Sequence, residues 1–174
     1  MNLTLPGTEF VISSVDQGNL RVYLNLAQAY EAEFSSITDK HPDRMGLYAL
    51  DTEIEGSVKG FLLSNACHAI GLAAVNVDAL TGADLREFFI VPTMRRRALG
   101  SKFAKQIFGF FPGRWTVKQL KAAHHATEFW RRSLKQMGIS YEEMVLLDEE
   151  WGEVVMQVFQ IEMGTGDGSC ISLS

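Results

Sequence analysis

The stretch Leu85–Phe103, LREFFIVPTMRRRALGSKF, carries most of the chemistry that can be read from this chain. An apolar run reaches Pro92. Three consecutive arginines, Arg95, Arg96 and Arg97, follow, and Ala98, Leu99, Gly100 and Ser101 then open a helical pattern. The first turn of a helix leaves backbone N–H groups unpaired and carries the positive end of the helix dipole, so it suits a phosphate or diphosphate. Small residues at 98 and 100 let a ligand come close to the backbone. Arginines add charge-assisted bonds to the same anion. A basic triplet is also what a solvated surface looks like. Yet cations at a helix N-terminus oppose the dipole, and on an acidic chain that mismatch points to an anion lodged among them. Other phosphate and hydrolase signatures are missing: there is no G-x-x-x-x-G-K-[ST], no G-x-G-x-x-G after an early strand, no G-x-S-x-G and no H-E-x-x-H.

The elements that must hold this segment follow from hydrophobic period and punctuation. Phe10–Val15 reads as a strand. Gly18 to Phe34 reads as a helix, with Leu20, Leu24, Ala27, Tyr30 and Phe34 recurring at three and four. A loop follows from Thr38 to Met45, then a strand from Leu47 to Ile54, while Gly56–Asn65 fits neither period cleanly. Ala69–Val77 and Leu85–Val91 read as buried strands. Leu99, Phe103, Ile107 and Phe111 form one helical stripe, stopped by Pro112-Gly113. A strand around Trp115 and Val117, a helix from about Ala123 to Met137 ended by Gly138, and strands Tyr141–Leu147 and Val154–Ile161 complete the chain. The order β-α-β-β-β-α-β-α-β-β predicts an α/β fold, a mixed sheet with helices on its faces.

At Arg95-Arg96-Arg97-Ala98-Leu99-Gly100 the chain resembles motif A of the GNAT superfamily of N-acetyltransferases: a strand ending in V-x-P, then [Q/R]-x-x-G-x-[G/A], then a helix. Ala98 replaces the usual first glycine. The segment GRWTVKQLKAAHHATEFWRRSLKQMG resembles motif B, with Ala126, Phe129, Trp130 and Gly138 matching and Ala123 where asparagine is common. The run EFFIVP to FWRR is further similar to small bacterial predicted acetyltransferases of this superfamily. The resemblance implies a GNAT-like fold, a mostly antiparallel central sheet with helices on both faces. It implies acetyl-CoA as cosubstrate, its diphosphate against residues 96–101 with help from Arg95, Arg96 and Arg97. The pantetheine arm would run beside Phe89, Ile90 and Val91, where the family splays two parallel strands, with Phe129 and Trp130 nearby. A backbone N–H near Ile90 or Val91 would polarise the acetyl carbonyl. Glu87 is then the candidate general base; the competing reading pairs it with Arg86 or Arg114. Tyr30, Phe34 and Tyr48 would wall the acceptor site. Glu31, Asp39 and Asp43 either attract a cationic amine or are simply solvated acids. Trp130 stands where many members carry a tyrosine that protonates the leaving thiolate. His124 and His125 could titrate near neutrality or merely cap the helix surface.

The expected activity is transfer of acetyl from acetyl-CoA to a primary amine of a small molecule or peptide. The alternatives are a catalytically inactive acyl-CoA-binding or sensor domain, and an interaction domain whose basic triplet binds a partner. Sixteen Lys+Arg against 21 Asp+Glu give a formal net charge of −5, the wrong sign for a generic nucleic-acid or membrane-surface binder. With 174 residues and 47% hydrophobic content, one domain over 1–163 is expected, with the Gly/Ser-rich 164–174 as a flexible tail. Cys67 and Cys170 lie far apart, with neither disulfide nor zinc spacing, so no metal site is expected. Residues 1–6 show no basic-then-apolar leader, and the low-polarity run 66–77 falls short of a membrane span. The expectation is a cytoplasmic protein with no nucleic-acid or membrane partner and with a homodimer left open.

Overall fold

Three apolar runs lie close together in the middle of the chain, and they become the middle of one eight-stranded sheet. The computed structural model describes residues 1–149 and 151–163. Its elements are β1 (Asn2–Thr4), β2 (Val11–Ser14), α1 (Leu20–Thr38), β3 (Val58–Ser64), β4 (Ala69–Asp78), β5 (Gly82–Ile90), α2 (Leu99–Phe110), β6 (Gly113–Leu120), α3 (His124–Gln136), β7 (Tyr141–Asp148) and β8 (Gly152–Ile161). A 3-10 turn, Pro92–Met94, joins β5 to α2. The strand order is β1-β2-β3-β4-β5-β6-β8-β7. Every pairing is antiparallel except β5 with β6. A mixed, mostly antiparallel sheet with helices on both faces is the fold read from the sequence.

One face carries α1, whose Tyr23 and Ala27 pack on Leu62, Leu72, Ala74 and Phe89. The other carries α2 and α3, whose Phe103, Ile107, Phe108, Trp130 and Leu134 pack on Phe61, Leu63, Ala73, Val75, Trp115 and Phe159. Burying a large aromatic or aliphatic side chain contributes roughly 1.5–3 kcal/mol, so this second, larger cluster dominates the apolar stabilisation.

Three expectations are corrected. Leu47–Ile54 is not a strand. It crosses α1 as irregular chain, fixed where Gln28 Nε2–H donates to the Tyr48 carbonyl and the Tyr48 N–H donates to Gln28 Oε1, at 3.0 and 2.8 Å. The Tyr48 backbone is thus satisfied by a helix side chain and not by a neighbouring strand. The ambiguous stretch supplies the strand instead: Val58–Ser64 pairs with both β2 and β4, and its run Gly60–Leu63 is buried on both faces, which erases any alternation. Helix α1 runs on to Thr38 and buries Tyr23, Ala27 and Glu31, leaving Leu24 exposed. The inward stripe carries polar groups because partners await them across the interface. The expected tail, 164–174, lies outside the described residues.

One irregularity places the chemistry. Along β4–β5 the register shifts between Ala74 and Val75: Ala74 faces Glu87 while Val75 faces Leu85, so Arg86 is the extra residue of a bulge. Before it, Ala83 and Leu85 point to the α2/α3 face. After it, Phe88 and Ile90 take that face, and Phe89 points to α1. The bulge therefore turns Glu87 and Phe89 to the α1 side. Before the bulge, Gly82 sets the parallel pairing. Its φ is +93°, and a Cβ there would lie 2.3 Å from the Arg114 carbonyl oxygen. Gly82→Ala is expected to cost about 2 kcal/mol or more, from clash and backbone strain, lowering the melting temperature by several degrees in calorimetry. An unchanged melting temperature would show that the approach of β5 to β6 is soft.

Candidate functional site

Parallel pairing of β5 with β6 covers only Ala83–Leu85 against Trp115–Val117, although both strands continue. Beyond Leu85 and Val117 they diverge. The wedge between them opens on a cavity of about 210 Å³ bounded by α1, Asp51 and Thr52, both strands, α3 and Trp151. The Val91 N–H donates to the Ile70 carbonyl at 2.9 Å, on the β4 side. Antiparallel alternation then aims the Ile90 and Phe88 backbone groups the other way, into the wedge. Of the two strand-end amides, that of Ile90 points into the wedge and that of Val91 is taken by β4.

Glu87 lies at the wedge on the α1 face, 3% exposed. The Tyr23 hydroxyl donates to its Oε2 at 2.6 Å. Oε1 is buried with no partner among the described residues. Among the described residues no cation pairs with it: Arg86 turns instead to Asp84, at 3.2 Å. Burial pushes the Glu87 carboxyl up to about 7. Hydrogen bonding from Tyr23 and the influence of Thr52 pull it down, and the nearby Glu31 and Asp51 push it up. Burial and Glu87 together raise Tyr23 far above the ordinary tyrosine range, so it remains a donor. Glu31 is 1% exposed, and Lys40 Nζ donates to its Oε2 at 2.9 Å and also pairs with Asp51. Glu31 Oε1 is a second buried orphan. Of the expected acceptor residues, Tyr30 and Phe34 line the cavity and Tyr48, whose backbone is held by Gln28, does not. Asp39 and Asp43 lie away from it.

The arginine turn divides unevenly. Arg95 folds back on its own chain: Nε–H donates to the Ile90 carbonyl at 2.7 Å, and both terminal nitrogens donate to the Glu33 carboxylate at 2.8 and 2.7 Å. Its guanidinium also lies over the Phe89 ring, 5.4 Å from the centroid. Arg95 thus clasps α1 to the end of β5 rather than facing an anion. Arg96 and Arg97 are exposed, with no ion pair among the described residues. Arg96 and Ala98 adopt left-handed backbone, φ 61° and 57°. Ala98 is the N-cap of α2 and no side chain caps the helix, which leaves its first amides for another acceptor.

Leu99 is core. Gly100 owes its size to packing, because a Cβ there would sit 3.0 Å from the Phe129 ring. The Ser101 hydroxyl pairs with that of Ser133 at 2.8 Å. Phe129 stacks on Phe88 at 5.7 Å, and Trp130 is 4% exposed among Phe88, Phe108 and Phe129, with one side on the cavity. His124 and His125 are exposed.

Sequence reasoning missed Tyr23, Asp51, Thr52, Gln119 and Trp151. Tyr23 sits off the apolar stripe read for α1, Gln119 is a polar residue at the next inward position of the Trp115/Val117 alternation, and Asp51 and Thr52 fall in the segment misread as a strand. Tyr23→Phe removes the bond that favours ionised Glu87. Any activity governed by that carboxylate is expected to show its acid-side inflection moved up from near 7, read from a rate–pH profile. An unmoved inflection would detach that titration from Glu87.

No family model matches the chain, and no curated protein matches it. Solved structures do. The ribosomal-protein-S18-alanine N-acetyltransferase from Escherichia coli superposes with a TM-score of 0.57 at 14% identity, over 92% of this chain and 99% of that one. A ribosomal L7/L12 alpha-N-protein acetyltransferase in complex with coenzyme A gives 0.65 at 11%, over 94% and 99%. The GNAT domain of S. lividans PAT gives 0.63 at 10%, over 92% and 96%. At such identities the likeness shows a shared fold, that of the GNAT acetyltransferases.

Proposed function

We propose that this chain, built on the GNAT fold, is an acetyl-CoA-dependent N-acetyltransferase that moves acetyl directly to a primary amine. The observation that carries the reading is the wedge between β5 and β6, with a buried carboxylate on one side and an uncapped helix N-terminus at its end. The residues present fit the cosubstrate. The first amides of α2, with Arg96 and Arg97 beside them, would hold the diphosphate. The backbone edge at Phe88 would bond an amide of the pantetheine arm. Bound there, the cosubstrate supplies an electrophilic thioester carbonyl and a thiolate that can leave.

The chain's own groups do the rest. An alkyl ammonium, with a pKa around 10.4, must lose a proton before it attacks. Glu87, raised to about 7, is ionised often enough near neutrality to take that proton and basic enough to hold it. Glu31 and Asp51 favour a cationic guest, and Tyr30, Phe34 and Trp151 give its carbon chain apolar walls. The Ile90 N–H is aimed to polarise the carbonyl. Trp130 has no hydroxyl, so a leaving thiol, with an ordinary pKa near 8.5, takes its proton from solvent. A small-molecule or peptide amine is the acceptor class. Among the described residues, no helix is long and apolar enough to cross a membrane.

Acetyl-CoA at 100 times its Kd is expected to stabilise the protein by about 2.7 kcal/mol. No thermal shift at saturating cosubstrate would end this reading. Thiol release over a panel of amines then separates an enzyme from a binding domain. Glu87→Gln should cut turnover by about a hundredfold or more while the shift persists, and should abolish the inflection near 7. The sign in stability is opposite to the usual carboxylate case. A folded-state pKa raised above 4.5 means the native protein holds the proton longer, so this group's contribution falls as pH rises from about 4.5 through 7. Glu87→Gln should therefore raise the melting temperature at pH 8 relative to wild type and do little at pH 5. Replacing Arg96 and Arg97 together by alanine should weaken acetyl-CoA binding about tenfold and flatten its salt dependence, whereas Arg95→Ala should act mainly on stability. Equal affinity in the Arg96/Arg97 variant would remove the arginines from the diphosphate site.

A further inference from the structure

On the α2/α3 side of the wedge lies a buried polar chain whose direction is set from outside. Arg131 of α3 donates from Nε–H to Glu143 Oε2 at 3.0 Å. That ion pair holds the Glu143 carboxyl below the usual range, so it is ionised and can only accept. Gln157 Nε2–H donates to Glu143 Oε2 at 2.8 Å, which fixes which end of the Gln157 carboxamide is nitrogen. Its Oε1 must then face Gln119, and Gln119 Nε2–H donates to it at 3.0 Å. A carboxylate at the rim thus dictates the orientation of two carboxamides in turn, leaving Gln119 Oε1 as the free end. Gln157 is fully buried and Gln119 is 6% exposed.

Gln119 Oε1 has no partner among the described residues. A buried acceptor left unpaired is costly, so its retention asks for a reason. Gln119 lines the cavity two residues beyond Val117, the last residue of β6 paired with β5: Trp115 and Val117 point to the α2/α3 face, and Gln119 continues that series. The N-terminus of α2 opens on the same side of the sheet. A ligand arm reaching from there into the wedge passes along this face, whereas Glu87 works on the other.

We infer that Gln119 is a cosubstrate-binding residue, its Oε1 accepting an amide N–H of the pantetheine arm of coenzyme A, and that Gln157, Glu143 and Arg131 are the positioning residues that hold it in that orientation. The inference rests on the acetyl-CoA reading above. It concerns which atoms of the arm are recognised, and pantetheine, with two amides joined by short alkyl links, supplies the donor.

The test compares two ligands by calorimetry on the full chain: coenzyme A, and its 3′-phosphorylated ADP half, which keeps the diphosphate and lacks the arm. Gln119→Leu, close in volume and without a polar end, should weaken coenzyme A about tenfold, the equivalent of one neutral hydrogen bond of roughly 1.4 kcal/mol, and leave the nucleotide half unchanged. Glu143→Gln, which removes the dictating carboxylate from a partly exposed site remote from the ligand, should produce a smaller loss with the same selectivity, and it stands in if Gln119→Leu does not fold. Equal losses for both ligands, or none for coenzyme A, overturn the assignment of Gln119 while leaving the acetyl-CoA reading intact. Wild-type protein that binds neither ligand overturns that reading, and this inference with it.

Discussion

Two parallel strands that stop pairing halfway along their length set the terms for everything else in this molecule. An interrupted ladder leaves backbone N–H and C=O groups facing a gap, and such groups are costly unless something meets them. Here the interruption coincides with the bulge at Arg86, which raises local twist and turns the rest of β5 by one side-chain position. One extra residue thus achieves two things. It opens the wedge, and it moves Glu87 from the aromatic core under α3 to the face where Tyr23 can reach it.

The electrostatics of the cavity follow from that placement. Glu31 and Glu87 are both almost fully buried, each has one oxygen bonded and one orphaned, yet their partners differ in kind. Glu31 meets the Lys40 ammonium, whereas Glu87 meets a neutral phenol. An ammonium compensates a buried charge far better than a hydroxyl does, so desolvation dominates at Glu87. The same cavity thus sets a carboxylate paired with an ammonium beside a carboxyl that burial pushes up to about 7.

Much of the fold was legible because long periodic segments announce themselves: the apolar stripe of α2, the buried runs of β4 and β5, and glycine and proline at the ends of helices. The failures have physical causes. Leu47–Ile54 has the composition of a strand but its hydrogen-bond partners lie on a helix. Val58–Ser64 is buried on both faces and so shows no period. The inner face of α1 is polar at two of its three buried positions, a pattern that hydrophobicity counting rejects. In the site, the resemblance located the wedge and the arginine turn, but it could not foresee that Arg95 would be captured by Glu33, or that Gly100 answers to a phenylalanine ring. The bulge itself leaves no mark in REFFIV, since both faces it joins are apolar.

The titration of Glu87 also bears on how this protein exchanges with its medium. A formal charge of −5 counts that carboxyl as ionised, whereas near neutrality the folded chain carries a fraction of a proton there. A cationic guest drawn in beside it drives that proton out into the buffer. The heat released on complex formation is then partly the buffer's own ionisation enthalpy, and it differs between phosphate and Tris at the same pH and the same affinity.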